Sequence, residues 1–149
     1  MRAITLDQAN TIIEAALVRA RELDLKPLSV IVLDAGGRVK AFQKQDGSAL
    51  LRFEISYGKA FAALGLGRSS KLVLQKYREK PYFMANLEQL SDGPLFYEGG
   101  AQLILDEHGE VVGAVGITGD VNEMDDDCAM AGIRAAGFHV DPNQYDGDT

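Results

Sequence analysis

The apolar positions change their period several times along the chain, and each change marks an element. Leu6, Ala9, Ile12, Ile13, Ala16, Leu17, Ala20 and Leu23 recur at helical spacing, which is the stripe of an amphipathic helix. Thr5 and Gln8 stand three apart at its start, the spacing of a capping box. The pattern predicts a helix over residues 6–24, stopped by Pro27. Residues 28–33 (LSVIVL) are short, β-branched and almost wholly apolar, so they read as a buried strand. After the turn Asp34-Ala35-Gly36-Gly37, residues 38–45 alternate, with Val39, Ala41 and Gln43 opposite Lys40, Phe42 and Lys44. That is a hairpin. Residues 50–66 are helix-forming over a wide apolar face, with Gly58 inside. Ser69 or Ser70 caps a second helix over 71–79, and a weakly patterned third covers 82–90.

The next stretch, from Glu98 to Gly119, reads EGGAQLILDEHGEVVGAVGITG. A short extended piece at 95–97 leads into it, and residues 101–105 and 110–117 form a second hairpin around Asp106-Glu107-His108-Gly109. Its glycines fit neither the dinucleotide fingerprint nor the phosphate loop. Gly113 and Gly116 sit in a strand with no side chain to pack, which is unfavourable unless something approaches closely. Gly99-Gly100 permits a positive φ or a bulge at the strand entrance. A tightly packed helix or a ligand belongs there. A last helix runs through 128–136, with the acidic run 120–127 at its start and Gly137 as its stop. The order helix, hairpin, helices, hairpin, helix predicts an α+β domain. The terminal helices cover one face of an antiparallel sheet, and the middle helices cover the other. The domain spans 1–140, with a flexible tail at 141–149.

Composition narrows the partners. A net charge of −7 argues against nucleic acid and anionic membranes as partners. No apolar run approaches the ~18 residues of a spanning helix, and the N-terminus lacks a signal-like apolar core. With Cys128 the single cysteine, a cytoplasmic location is expected. The two histidines, His108 and His139, cannot make a His-rich metal site, and no metal site is expected. The acidic run lacks the calcium-loop pattern and reads as a solvated helix turn. Carboxylates beside Cys128 raise its thiol pKa and disfavour a nucleophilic role. Met84, Met124 and Met130 read as packing residues.

Lys59, Glu98 and Asp125 come from a helix, a strand entrance and a helix start, all beside glycines. Brought together, they would line a small cleft able to bind a polar metabolite or move a proton. A structural ion pair is the alternative. Tyr57 and Tyr97 stand where they could close such a cleft. Phe53, Ile55, Phe61, Leu64, Leu66, Leu72, Val73 and Leu74 exceed what one sheet face needs, which predicts a homo-oligomer.

Four segments in register, LDAGGRVKAFQKQDG, GKAFAA, EGGAQLILDEHGEVVGAVGITG and MDDDCAMAG, resemble the GlcG/HbpS family of haem-degrading or haem-binding domains, which includes the C-terminal domain of PduO-type proteins. The resemblance spans residues from about 4 to 137. It implies a profilin-like fold, a five-stranded antiparallel sheet flanked by helices on both faces. It also implies a small-molecule ligand, with haem or another tetrapyrrole as candidate cofactor, and an oligomer. Asp34, Gly36 and Gly37 match the family's first turn, Lys59 its middle-helix lysine, Glu98-Gly99-Gly100 its double-glycine entry, and Asp125 its last-helix acid. The first-helix histidine that ligates haem in part of the family has no counterpart here. The ligand-binding set expected is Asp34, Lys59, Tyr97, Glu98, Gly99 and Gly100. The second reading is a cofactor-independent catabolic enzyme of isomerase or lyase type, acting on a small organic acid or aromatic breakdown product, with Lys59, Glu98 and Asp125 catalytic.

Overall fold

The structure is a computed structural model and describes residues 3–144; positions 145–149 of the expected tail lie outside the described residues. Helix α1 (Leu6–Glu22) opens with the expected capping box: Gln8 donates its N–H to Thr5 Oγ1 at 3.1 Å, and Thr5 donates to Gln8 Oε1 at 2.9 Å. It closes two residues sooner than Pro27 suggested. The chain reverses at Asp24, whose φ of 54° is left-handed, so the turn ends the helix before the proline is reached.

The hairpin β1 (Ser29–Asp34) and β2 (Val39–Lys44) follows. Helices α2 (Arg52–Leu66), α3 (Ser70–Glu79) and α4 (Pro81–Leu90) come next, then β3 (Ala101–Leu105), β4 (Val111–Thr118), α5 (Asn122–Ala135) and β5 (His139–Val140). The sheet is five-stranded and antiparallel in the order β2-β1-β4-β3-β5. This is the α+β fold expected. Residues 95–97 are irregular rather than a strand, and the two-residue β5 was visible only through the resemblance.

Both faces of the sheet are covered, which is why β1 and β4 read as nearly unbroken apolar runs. Val30, Val32, Val115 and Ile117 pack against Ile12, Ile13 and Ala16 of α1 and Ala129 and Ile133 of α5. Ile31, Leu33, Leu103 and Ala114 face Ala60, Ala63 and Phe61 of α2. α2 lies close on β4 because Gly116 has no side chain: a Cβ there would run into the Ser56 carbonyl. Most of the apolar surplus of the middle helices is spent here. Leu72 and Val73 are buried, and Phe53, Phe61 and Leu64 pack on the α2 core. The large apolar side chains left exposed include Leu50, Leu51, Tyr82, Phe83 and Leu90. Among the described residues no helix is long and apolar enough to cross a membrane.

Candidate functional site

Lys59 and Asp125 meet at the entrance of β3. Lys59 leaves α2 with its side chain buried and donates from Nζ to the Ile117 carbonyl at 2.9 Å. Its Nζ stands 3.6 Å from Asp125 Oδ2, a charge contact too long for a good hydrogen bond. Asp125 Oδ1 accepts the Asp120 N–H at 3.3 Å. Burial dominates both groups. It lowers the Lys59 pKa against the pull of Asp125, and it pushes the Asp125 carboxyl up to about 7 against the pull of Lys59.

Asp126, the next residue, is the one the sequence reading passed over. It is fully buried. Its Oδ1 accepts from Gln102 Nε2 at 2.7 Å, while among the described residues its Oδ2 has no hydrogen-bond partner. Gln102 is held in turn by Gln144: Gln102 Nε2 donates to Gln144 Oε1 at 3.1 Å, and Gln144 Nε2 returns a bond to Gln102 Oε1 at 2.8 Å. Burial pushes Asp126 up to about 6, opposed first by the Gln102 bond, then by Lys71, by the nearby Gly100 N–H and by Lys59. The acidic run is therefore not the solvated turn its composition suggested. The first turns of α5 point Asp125 and Asp126 inward under β3. The only signal in the sequence was their placement just ahead of Cys128 and Ala129 on the buried face of the helix.

Asp126 lines a cleft of about 480 Å³ between α3 and the start of α5. Gly99 and Asn122 form one wall, and Lys71, Gln75 and Arg78 of α3 form the other. Gly99 thus borders a pocket. Gly100 does not line it: with φ at 116°, a Cβ there would stand 2.6 Å from the Ile117 carbonyl oxygen and 2.9 Å from Lys59 Nζ. Its role is to let the chain close over the buried lysine. Glu98 sits beside the cleft, accepting from Asn122 Nδ2 at 3.0 Å, and its charge acts only weakly on Lys59.

Three expected residues lie apart from this site. Asp34 caps the β1–β2 turn, where Oδ1 accepts the N–H groups of Gly36 at 2.9 Å and Arg38 at 3.0 Å. It pairs with Gly113, four strand positions from Ile117, or about 13 Å along β4. Tyr97 is buried with its hydroxyl donating to the Met84 carbonyl at 2.7 Å, so it anchors α4 rather than facing the cleft. Tyr57 stands in an edge-to-face aromatic row between Phe53 and Phe61 and donates to the Gly37 carbonyl at 3.3 Å. Cys128 is buried and its thiol is pushed up to about 12, first by burial and then by Asp127 and Asp125, so it is no nucleophile. Among the described residues no group of three or more His, Cys, Asp and Glu could hold a metal ion.

The model of the HbpS-like family, described as haem degrading protein HbpS-like, matches residues 4–134. The chain belongs to the HbpS-like family. The chain is also similar to an uncharacterised 15.0 kDa protein of the dhaT-dhaS intergenic region of Citrobacter freundii, 27% identical over 122 residues, which are 82% of this chain and 84% of the relative. Among solved structures, the PduOC:heme complex superposes with a TM-score of 0.80 at 23% identity, covering 92% of this chain and 97% of the other. Klebsiella pneumoniae ORFY gives 0.79 at 24%, with 92% of each chain covered. HbpS of Streptomyces reticuli, in a doubly substituted form, gives 0.77 at 21%, covering 90% of this chain and 87% of the other. These likenesses establish the profilin-like arrangement of this HbpS-like chain.

Proposed function

We propose that the protein binds a small molecule in the cleft between α3 and the start of α5. The observation that carries this reading is the unpartnered Oδ2 of buried Asp126 in the cleft wall. Leaving a buried acceptor without a donor costs about 1–3 kcal/mol, which a ligand donor would recover. The name PduOC:heme complex makes a tetrapyrrole the candidate by relationship. The residues of this cleft do not fit a haem held by an axial ligand. Among the described residues none of those lining it is His, Cys, Met or Tyr, the usual axial groups, and α1 carries no histidine. His108 lines a separate hollow at the exposed β3–β4 turn, which shares no lining residue with this cleft. The reading is therefore a small polar ligand. Its test is a thermal-shift screen of small organic acids beside a haem titration. Saturable stabilisation by an acid supports it. A Soret band saturating at one equivalent per chain, with no acid stabilising, overturns it in favour of haem.

A second reading, proton transfer on such an acid, is favoured by the carboxyls at about 6 and 7 beside an amine shifted down, values suited to general acid–base work near neutrality. Asp126 is the group placed to meet a substrate, with Lys59 and Asp125 beneath it. NMR-detected exchange of a substrate carbon-bound proton in D2O would support it, and exchange unchanged in Asp126→Asn would count against it. A cytoplasmic location and self-association through the exposed Leu50, Leu51, Tyr82, Phe83 and Leu90 complete this proposal.

A further inference from the structure

We propose that the cleft is built for a small hydroxycarboxylate, whose hydroxyl donates to Asp126 Oδ2 and whose carboxylate meets the start of α5 and Arg78. This rests on the cleft reading and gives it a ligand class. Asp126 supplies one half of the recognition. Its Oδ1 is occupied by Gln102, and Gln102 cannot rotate its amide without losing the paired bonds to Gln144. Asp126, in the wall of the cleft, therefore holds a fixed, buried acceptor that asks for an O–H or N–H.

The other half is the start of α5. Val121 precedes the helix and has no polar side chain, so no side-chain cap satisfies its first N–H groups. Asn122 does not serve either, because its side-chain amide is turned to Glu98. Asn122, Glu123 and Asp126 all face the cleft. An uncapped helix start attracts an anion, and the guanidinium of Arg78 stands in the opposite wall. Of the acids nearby, Glu79 accepts from Gln75 Nε2 at 3.1 Å and is drawn to its own helix.

Charge selects the donor and the anion. Lys59 and Lys71 already act on Asp126, so an amine donor would add a third ammonium that must shed its water beside two others. A hydroxyl adds no charge. Phosphate brings nearly twice the negative charge of a carboxylate to a wall that holds Glu79, Glu123 and Asp126, and is disfavoured on that ground.

Isothermal titration of the full chain with matched probes decides the matter: lactate against propionate, malate against succinate, and lactamide as the uncharged control. We expect each hydroxy acid to bind roughly tenfold or more tightly than its deoxy partner, and lactamide to fail. Asp126→Ala should bring the partners of each pair to equal affinity, while Arg78→Ala should weaken both alike. Gln102 keeps its bonds to Gln144 in the first variant, and Arg78 is exposed, so both should fold. Equal binding within each wild-type pair, still weakened by Arg78→Ala, overturns the ligand class and leaves the cleft standing. Hydroxy-acid binding insensitive to both variants places the ligand elsewhere and removes the cleft reading too. No saturable binding of any probe at millimolar concentration also overturns the class, and the cleft is then judged by the screen and haem titration above.

Discussion

Gly100→Ala puts a methyl group where the chain closes over the buried lysine. The cost has two parts. The backbone there has φ of 116°, and an L-residue in so sparsely populated a region costs about 1–3 kcal/mol. The new Cβ would also stand 2.6 Å from the Ile117 oxygen and 2.9 Å from Lys59 Nζ. The lysine end can move, but the Ile117 oxygen belongs to β4, which β1 and β3 fix on either side, so the chain at Gly100 must shift as well. The lysine's bond to Ile117 is then lost, worth roughly 1.5–3 kcal/mol for a charged donor. Together these give on the order of 2.5–6 kcal/mol, or roughly 5–24 °C in melting temperature for a chain of this size. Gly99→Ala is the control. Its backbone needs no positive φ, and its Cβ would meet the Asn122 side chain, at 2.9 Å from Cβ, beside the open cleft. It should fall by less than about a third as much. Thermal melts by circular dichroism at one pH and one salt concentration make the comparison. A Gly100→Ala protein melting within about 2 °C of the parent would refute both the strain and the closure over Lys59.

Four further outcomes are expected. Asp126 holds its proton in the folded chain to about 6, above its unfolded value, so its contribution to stability is full at low pH and is lost as pH rises through that value. Asp126→Asn should therefore gain on the parent in urea melts between about pH 4 and about pH 6 and level off above about pH 7, and a difference constant across that range would refute the shift. Lys59→Met leaves the Ile117 carbonyl and Asp125 without their cation and should cost about 3–5 kcal/mol. The double variant with Asp125→Asn should recover part of that loss, and strict additivity would show the two groups uncoupled. Gly65→Ala, in α2 with nothing within 4 Å of its Cβ, should stabilise by up to about 1 kcal/mol, measured by chemical denaturation. Light scattering at micromolar concentration should give more than the monomer mass, and Leu90→Glu with Tyr82→Glu should lower it; Leu90 is 82% and Tyr82 87% exposed.

What the sequence determined by itself was whatever one element can state about its own surroundings. The Thr5–Gln8 box and the stripe behind it fixed α1 because both partners of the cap lie within one turn. The unbroken apolar run of β1 implied cover on both faces, and the glycine of β4 implied a close neighbour, which the Ser56 carbonyl of α2 supplies. Four motifs in register also carried the family, since they preserve the turns and close approaches that the fold requires. The geometry of the candidate site was legible in part. Lys59 and Asp125 meet, and Gly99 borders a pocket. At Asp34 and Tyr97 a turn acid and a strand-entrance tyrosine look the same in sequence whether they face a ligand or bond the backbone. Their partners, the Gly36 and Arg38 N–H groups and the Met84 carbonyl, are assigned only by the folded chain. The acidic run shows the same limit in reverse. A run of aspartates at a helix start has one composition whether it is solvated or buried, and burial is decided by what packs over it. Here the cover is β3 with Gln102, together with Gln144 arriving from beyond β5. That long-range packing pushes Asp126 up to about 6 and leaves one of its oxygens without a donor, a property no local pattern encodes.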